Sequence, residues 1–160
     1  MENTDREELC ELMDKLLINS LELVERDVQL SQDIDRLMTE GQIDLAHTRF
    51  TKGPNAVSAV QLPAEDYKPF RALRTVAITP DESTGGALPH MSLESHPVDA
   101  EEERIDPASW FGILRPPTLN SAKDKFTRSL ESIVERANVR VTLGHYLSLF
   151  AALNKQNAKN

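Results

Sequence analysis

The sequence predicts an all-α protein: two long helices forming an antiparallel helical hairpin or coiled coil, joined by a long, largely disordered linker with room for a short β element. Three observations carry that prediction. Leucines recur at seven-residue intervals near the N-terminus, a second seven-residue apolar line fills the C-terminal part, and the two segments carry opposite charge. The boundaries read 1–53 for an N-terminal coiled-coil helix and 54–105 for a flexible, proline-containing and acidic linker. Residues 106–160 hold a Trp-Phe-Gly-Ile-Leu motif and a C-terminal helix packing on the first.

In the first segment Leu9, Leu16, Leu23, Leu30 and Leu37 share one line, with Met13 and Ile34 on the complementary seam positions. Leu17, Leu21, Val24, Val28 and Met38 widen the stripe, which makes the helix amphipathic. Thr4 and Glu7 have the spacing of a capping box, and Lys52-Gly53-Pro54 supplies the stop, because glycine accepts a left-handed conformation and proline cannot continue a helix. Ser20, Asp27 and Gly41 interrupt the second seam line, so a parallel zipper is poorly specified and Gly41 is the point where the rod would bend. A helix from about residue 5 to 50 would be roughly 65–70 Å long.

The middle obeys other rules. Prolines 54, 63, 69 and 80 alternate with β-leaning runs at Ala56 to Leu62 and Leu73 to Ile78, which predicts at most a small extended element. From Asp81 to Asp106 eight acids face the single base Arg104, with Gly85-Gly86, Pro89 and Pro97 among them; such a composition reads as a tether that buries too little apolar area to offset ordering entropy.

Beyond the linker, Trp110, Phe111, Gly112, Ile113 and Leu114 form a dense apolar cluster fenced by Pro107 and Pro116. A solvated linker does not ordinarily end this way, so the cluster either caps the helical core or meets a partner. The helix that follows places Leu119, Phe126, Ile133 and Leu147 on one line, interrupted by Arg140, with Pro116-Pro117 then Thr118 at its start. Ser121 with Asp124 is an alternative cap, Gly144 a point of weakness, and Asn154 to Asn160 a fraying tail.

Charge pairs the helices. Residues 1–50 carry thirteen acids and five bases, residues 107–160 three acids and eight bases, so opposite signs choose the pairing while aliphatic burial holds it. A homodimer through the same seam is the less favoured alternative.

Composition narrows the function classes. A net charge of −8 lacks the concentrated basic face that nucleic acid requires. The lone Cys10 fits a reducing compartment, the acidic N-terminus lacks the pattern of a signal peptide, and no stretch reaches the length of a membrane span. His47, His90, His96 and His145 show no ligand spacing, Gly85-Gly86 lacks the setting of a phosphate loop, and Glu7-Glu8 or Asp33 with Asp35 lie on a solvated helix face. No metal, cofactor or catalytic residue is expected, and an enzyme is disfavoured.

The residues then reach a resemblance. Asp106-Pro107, Trp110-Phe111-Gly112-Ile113-Leu114, Pro116, Leu119 and Phe126 resemble the C-terminal signature of the coiled-coil-domain-containing family of vacuolar proton-ATPase (V-ATPase) assembly factors. Glu40-Gly41, Leu45-Ala46, Arg49-Phe50 and Gly53 are similar to that family's first-helix ending, while residues 54–105 depart from its pattern. The resemblance implies a chaperone on the cytosolic face of the endoplasmic reticulum (ER), held to the membrane by a two-span ER assembly factor. Endosomal, lysosomal or ER-Golgi vesicle membranes are further sites it allows. Its clients would be membrane-sector subunits of the V-ATPase, and its output lysosomal or vacuolar acidification. A coiled-coil adaptor and a prefoldin-like holdase are the alternatives the residues leave open.

Overall fold

A computed structural model describes residues 2–157. Helix α1 (Glu2–Lys52) is followed by a 3-10 turn (Ala59–Gln61), strands β1 (Arg74–Pro80) and β2 (Pro89–Ser95), a 3-10 turn (Pro107–Phe111) and helix α2 (Pro117–Asn157). The strands pair antiparallel as a two-stranded sheet. The expectation of an all-α chain with a long, largely disordered linker is therefore corrected to a helical protein with a folded, partly β middle.

The physical reason lies in local side-chain to backbone bonds that composition does not register. Asp81, counted as a solvating acid, accepts from the Ser83 backbone N–H at 2.9 Å and its hydroxyl at 2.7 Å, while the Thr84 hydroxyl donates to the Asp81 carbonyl at 2.9 Å. Gly85 and Gly86 take left-handed φ of 64° and 81°, which turns β1 into β2. The acid run 99–104 closes likewise. Asp99 accepts from the Glu101 N–H at 2.8 Å, and Asp99 and Arg104 exchange backbone bonds of 3.1 and 2.8 Å. Arg104 pairs with Glu102 at 2.9 Å, and the Arg71 N–H donates to the Glu103 carbonyl at 2.9 Å. One well-placed base organises the run that seemed to lack bases.

Both helices contribute to two compact units. The first contains α1 up to Ser31, the hairpin tip Ile78–Met91, and α2 from Glu135. Within it the helices lie antiparallel, with Leu30 only 2% exposed. Asp27, on the interrupted seam, accepts from Arg136 Nε at 2.8 Å and Arg140 Nε at 2.7 Å, and Arg26 pairs with Glu135. The Asn138 side chain grips β2 twice: its Oδ1 accepts from the Met91 N–H and its Nδ2 donates to the Met91 carbonyl, both at 2.8 Å.

The second unit runs from Gln32 to Ala77 and from Ser92 to Val134. Here too the helices are antiparallel: Thr48 meets Thr118 at 2.6 Å, Lys125 donates to Asp44 at 2.8 Å, and Ser129 reaches the Met38 sulfur at 3.5 Å. Leu37, Leu119 and Ala122 are buried. Gly41 lies within α1, which continues through it to Lys52. It is the close approach that admits the Phe126 ring: a Cβ built there would stand 2.7 Å from Phe126 Cε1 and 2.9 Å from Cζ. Gly41→Ala is thus expected to destabilise the protein by about 1–3 kcal/mol, although alanine in an open helix would gain up to ~1 kcal/mol. Thermal melts of Gly41→Ala in wild-type and Phe126→Leu backgrounds check this; an equal loss in both would remove the ring as the cause.

Helix ends differ modestly from expectation. The α1 start precedes Thr4, whose side chain lies outside the described residues. Gly53, at φ 98°, closes α1 with its N–H on the Arg49 carbonyl at 3.0 Å. Helix α2 begins at Pro117 and passes Gly144 unbroken to Asn157; the remainder of the expected fraying tail lies outside the described residues.

Candidate partner-binding surface

The motif segment is built on Asp106. Its carboxylate caps the 3-10 turn by accepting from the Ala108 N–H at 3.1 Å, and its second oxygen accepts from Arg115 at 2.6 Å and Lys123 at 2.9 Å. One side chain therefore ties the start of the loop, its end and the first turns of α2 together. Gly112, at φ 108°, turns the chain after Phe111, and the Pro116 carbonyl accepts from the Leu119 N–H at 3.0 Å to open α2.

This base divides the apolar cluster. Trp110 points inward, edge-to-face with Phe70 at 5.1 Å and with Tyr67 at 6.4 Å, while Tyr67 and Phe70 contact each other at 6.2 Å. Phe111 lines an apolar cavity of about 470 Å³ together with Phe70 and the α2 residues Leu119, Ala122, Phe126 and Leu130. Ile113 and Leu114 do the reverse, being 98% and 95% exposed beside Arg115, Pro116 and Lys52. The aromatic half of the motif packs and the aliphatic half is displayed, with Gly112 exposed at the hinge and Pro116 half-buried.

The seam residues are graded in the same way. Leu9, Leu16 and Leu23 are half-buried, Leu30 and Leu37 buried, Leu119 buried, Phe126 half-buried and Ile133 exposed. Sequence reasoning missed Tyr67 and Phe70 as the partners of Trp110; the signal was present in Tyr67-Lys68-Pro69-Phe70, where proline fixes two aromatics in an extended approach. It also missed Asn138, which carried no pattern.

Four aspartates are held below the ordinary carboxylate range, Asp81 by the Ser83 hydroxyl and N–H and three others by bonds that include basic side chains. Hydrogen bonds from Arg140 and then Arg136 hold Asp27 far below the usual carboxylate range, and Lys125, then Ser121, lower Asp44. Burial pushes Asp106 up, but the donors Lys123, Arg115 and Ala108 outweigh it and leave its carboxyl low. A lowered folded pKa means that the unfolded chain binds more protons, so this stability is complete above the ordinary value of 3.8 and is lost as pH falls below it. The melting temperature is expected to hold from about pH 7 to about pH 5 and to drop below about pH 4. A melting temperature that rises on acidification would show that these carboxylates oppose the fold.

Among the described residues no group of three or more His, Cys, Asp or Glu side chains is placed to hold a metal ion, and no helix is long and apolar enough to cross a membrane.

No family model matches the chain. The chain is 25% identical, over 170 aligned residues, to a curated mouse (Mus musculus) protein described as vacuolar ATPase assembly protein VMA22, with 94% of this chain and 92% of the relative covered. A match of that span takes in the folded middle and the Trp110–Leu114 motif together with both helices, which seven-residue periodicity alone would not require. The chain is thus similar, distantly but over nearly its whole length, to a V-ATPase assembly protein.

Proposed function

We propose that this chain is an assembly factor for the V-ATPase, acting on the membrane-embedded sector at the cytosolic face of the ER together with a two-span membrane protein. The end-to-end similarity to a vacuolar ATPase assembly protein carries the reading. The surface supports it: Ile113 and Leu114 stand almost fully exposed on a turn braced by Asp106 and closed by the two following prolines. Two bulky aliphatic side chains held in water by a stiff scaffold have little ordering entropy left to lose on binding, which suits a contact made and later released. In this reading Trp110 and Phe111 position the turn and Ile113 and Leu114 anchor the partner. The helix seam supplies the scaffold, and occupation of the nascent sector's surface is the whole of the activity.

The test is a count of assembled pumps in cells lacking the chain. An assembly factor changes how many membrane sectors leave the ER, so the expected result is poor lysosomal or vacuolar acidification, few mature membrane sectors and unattached catalytic sector in the cytosol. Normal numbers of slow pumps would make the chain a regulator, and normal acidification would remove the assignment.

A further inference from the structure

The cavity under Phe111 has a shape and a charge that the displayed Ile113 and Leu114 do not use. One wall is a stripe on α2, Leu119, Ala122, Phe126 and Leu130, whose spacing of three, four and four residues keeps it on one helix face for about 16 Å. The opposite wall is the extended segment Phe70 to Arg74 with Phe111. The floor is deepest at the buried Leu119 and Ala122 and opens to solvent at Leu130. Arg71 and Arg74 lie on the wall. Arg26, Arg36, Arg104, Arg115, Arg136 and Arg140 each hold a carboxylate. Arg71 and Arg74, like Arg49 and Arg128 elsewhere, have none within ion-pair distance among the described residues, in a chain that carries 26 acids. The Arg71 backbone N–H donates to the Glu103 carbonyl, and Arg74 Nη1 donates to the Leu73 carbonyl at 3.1 Å, which holds the Arg74 guanidinium at the wall.

We propose that this groove receives a short amphipathic helix of a partner protein, apolar on the face that enters and acidic where it passes Arg71 and Arg74. A stripe of about 16 Å matches roughly three helical turns, with anchors repeating every three to four residues. Two arginines that line the groove without an intramolecular carboxylate select carboxylates, and the negative charge of the rest of the chain disfavours acidic segments elsewhere. An acyl chain with an acidic head shares this chemistry and is the competing occupant that the test separates. The proposal names a second contact within the assembly-factor reading and rests on that reading only for its cellular setting.

The test selects binders to the full chain from a displayed library of random peptides of about twelve residues, three turns of helix. Enriched peptides are expected to carry Leu, Ile, Phe or Met at helical spacing with Asp or Glu on the flank. By fluorescence anisotropy, they should lose at least about tenfold in affinity when their acids are replaced by Lys, and again on the Arg71→Glu, Arg74→Glu variant. They should still bind the Ile113→Asp, Leu114→Asp variant, which separates the groove from the displayed pair. Failure of any peptide to enrich, enrichment without acids, unchanged binding to the Arg variant, or saturation by oleate while no peptide binds would each overturn the proposal. A normal pump count in cells lacking the chain would sink the assembly reading yet leave the peptide result standing.

Discussion

Leu37→Asp is expected to collapse the helical fold. Leu37 is only 3% exposed, in the unit where Phe126 enters over Gly41 and Ser129 reaches Met38. Removing the side chain forfeits about 1.5–3 kcal/mol of burial, and a carboxylate without a partner adds several kcal/mol or shifts to its protonated form. Against a total stability of roughly 5–15 kcal/mol for a domain, that loss is decisive. Far-UV circular dichroism and thermal melts read it. The informative control is Leu21→Asp, the same chemistry at an exposed position of α1, which should change stability by no more than about 0.5 kcal/mol. If the two variants melt together, Leu37 does not face α2.

The second large effect separates function from fold. Ile113→Asp with Leu114→Asp changes two side chains that touch almost nothing, so the folding stability should stay within about 0.5 kcal/mol of wild type. Partner binding should weaken by about 2–4 kcal/mol, the scale of a truncated hot spot. Trp110→Ala with Phe111→Ala should instead lower both stability and binding, because those rings pack against Tyr67, Phe70 and the α2 stripe. Co-purification with the proposed membrane partner alongside melts of the isolated chain distinguishes the two. A stability loss for the Ile113 and Leu114 variant equal to that of the aromatic variant would make the motif a core cap throughout.

The helices were legible because burial repeats. The heptad leucines and the Gly53-Pro54 stop sufficed to place α1, and Pro116-Pro117 to place the start of α2. What periodicity cannot carry is a polar partner far away in sequence: Asp27 looked like a fault in the seam until Arg136 and Arg140 arrived from 109 and 113 residues on. The role of Gly41 as a close approach was hidden for the same reason, since it resides in Phe126. The middle failed differently. Counting acids measures repulsion, whereas Asp81, Thr84 and Asp99 act through single hydrogen bonds to nearby backbone, which depend on order and not on composition. Of the candidate site, the motif itself was visible, but its division into packed and displayed halves depends on Phe70 and Asp106 and was not.

The paired bonds from Asn138 to Met91 make one amide proton a gauge of α2. An amide side chain that offers its donor and acceptor to a single residue imitates a neighbouring strand, so it tolerates little torsion of the helix that bears it. If client release twists α2 about its own axis, the Met91 amide is the first to become unprotected, before any helical amide of α2 exchanges. Site-resolved hydrogen–deuterium exchange at Met91, with and without the proposed membrane partner, would then time the stroke. Unchanged protection during release would mean that this unit rides through the cycle without turning.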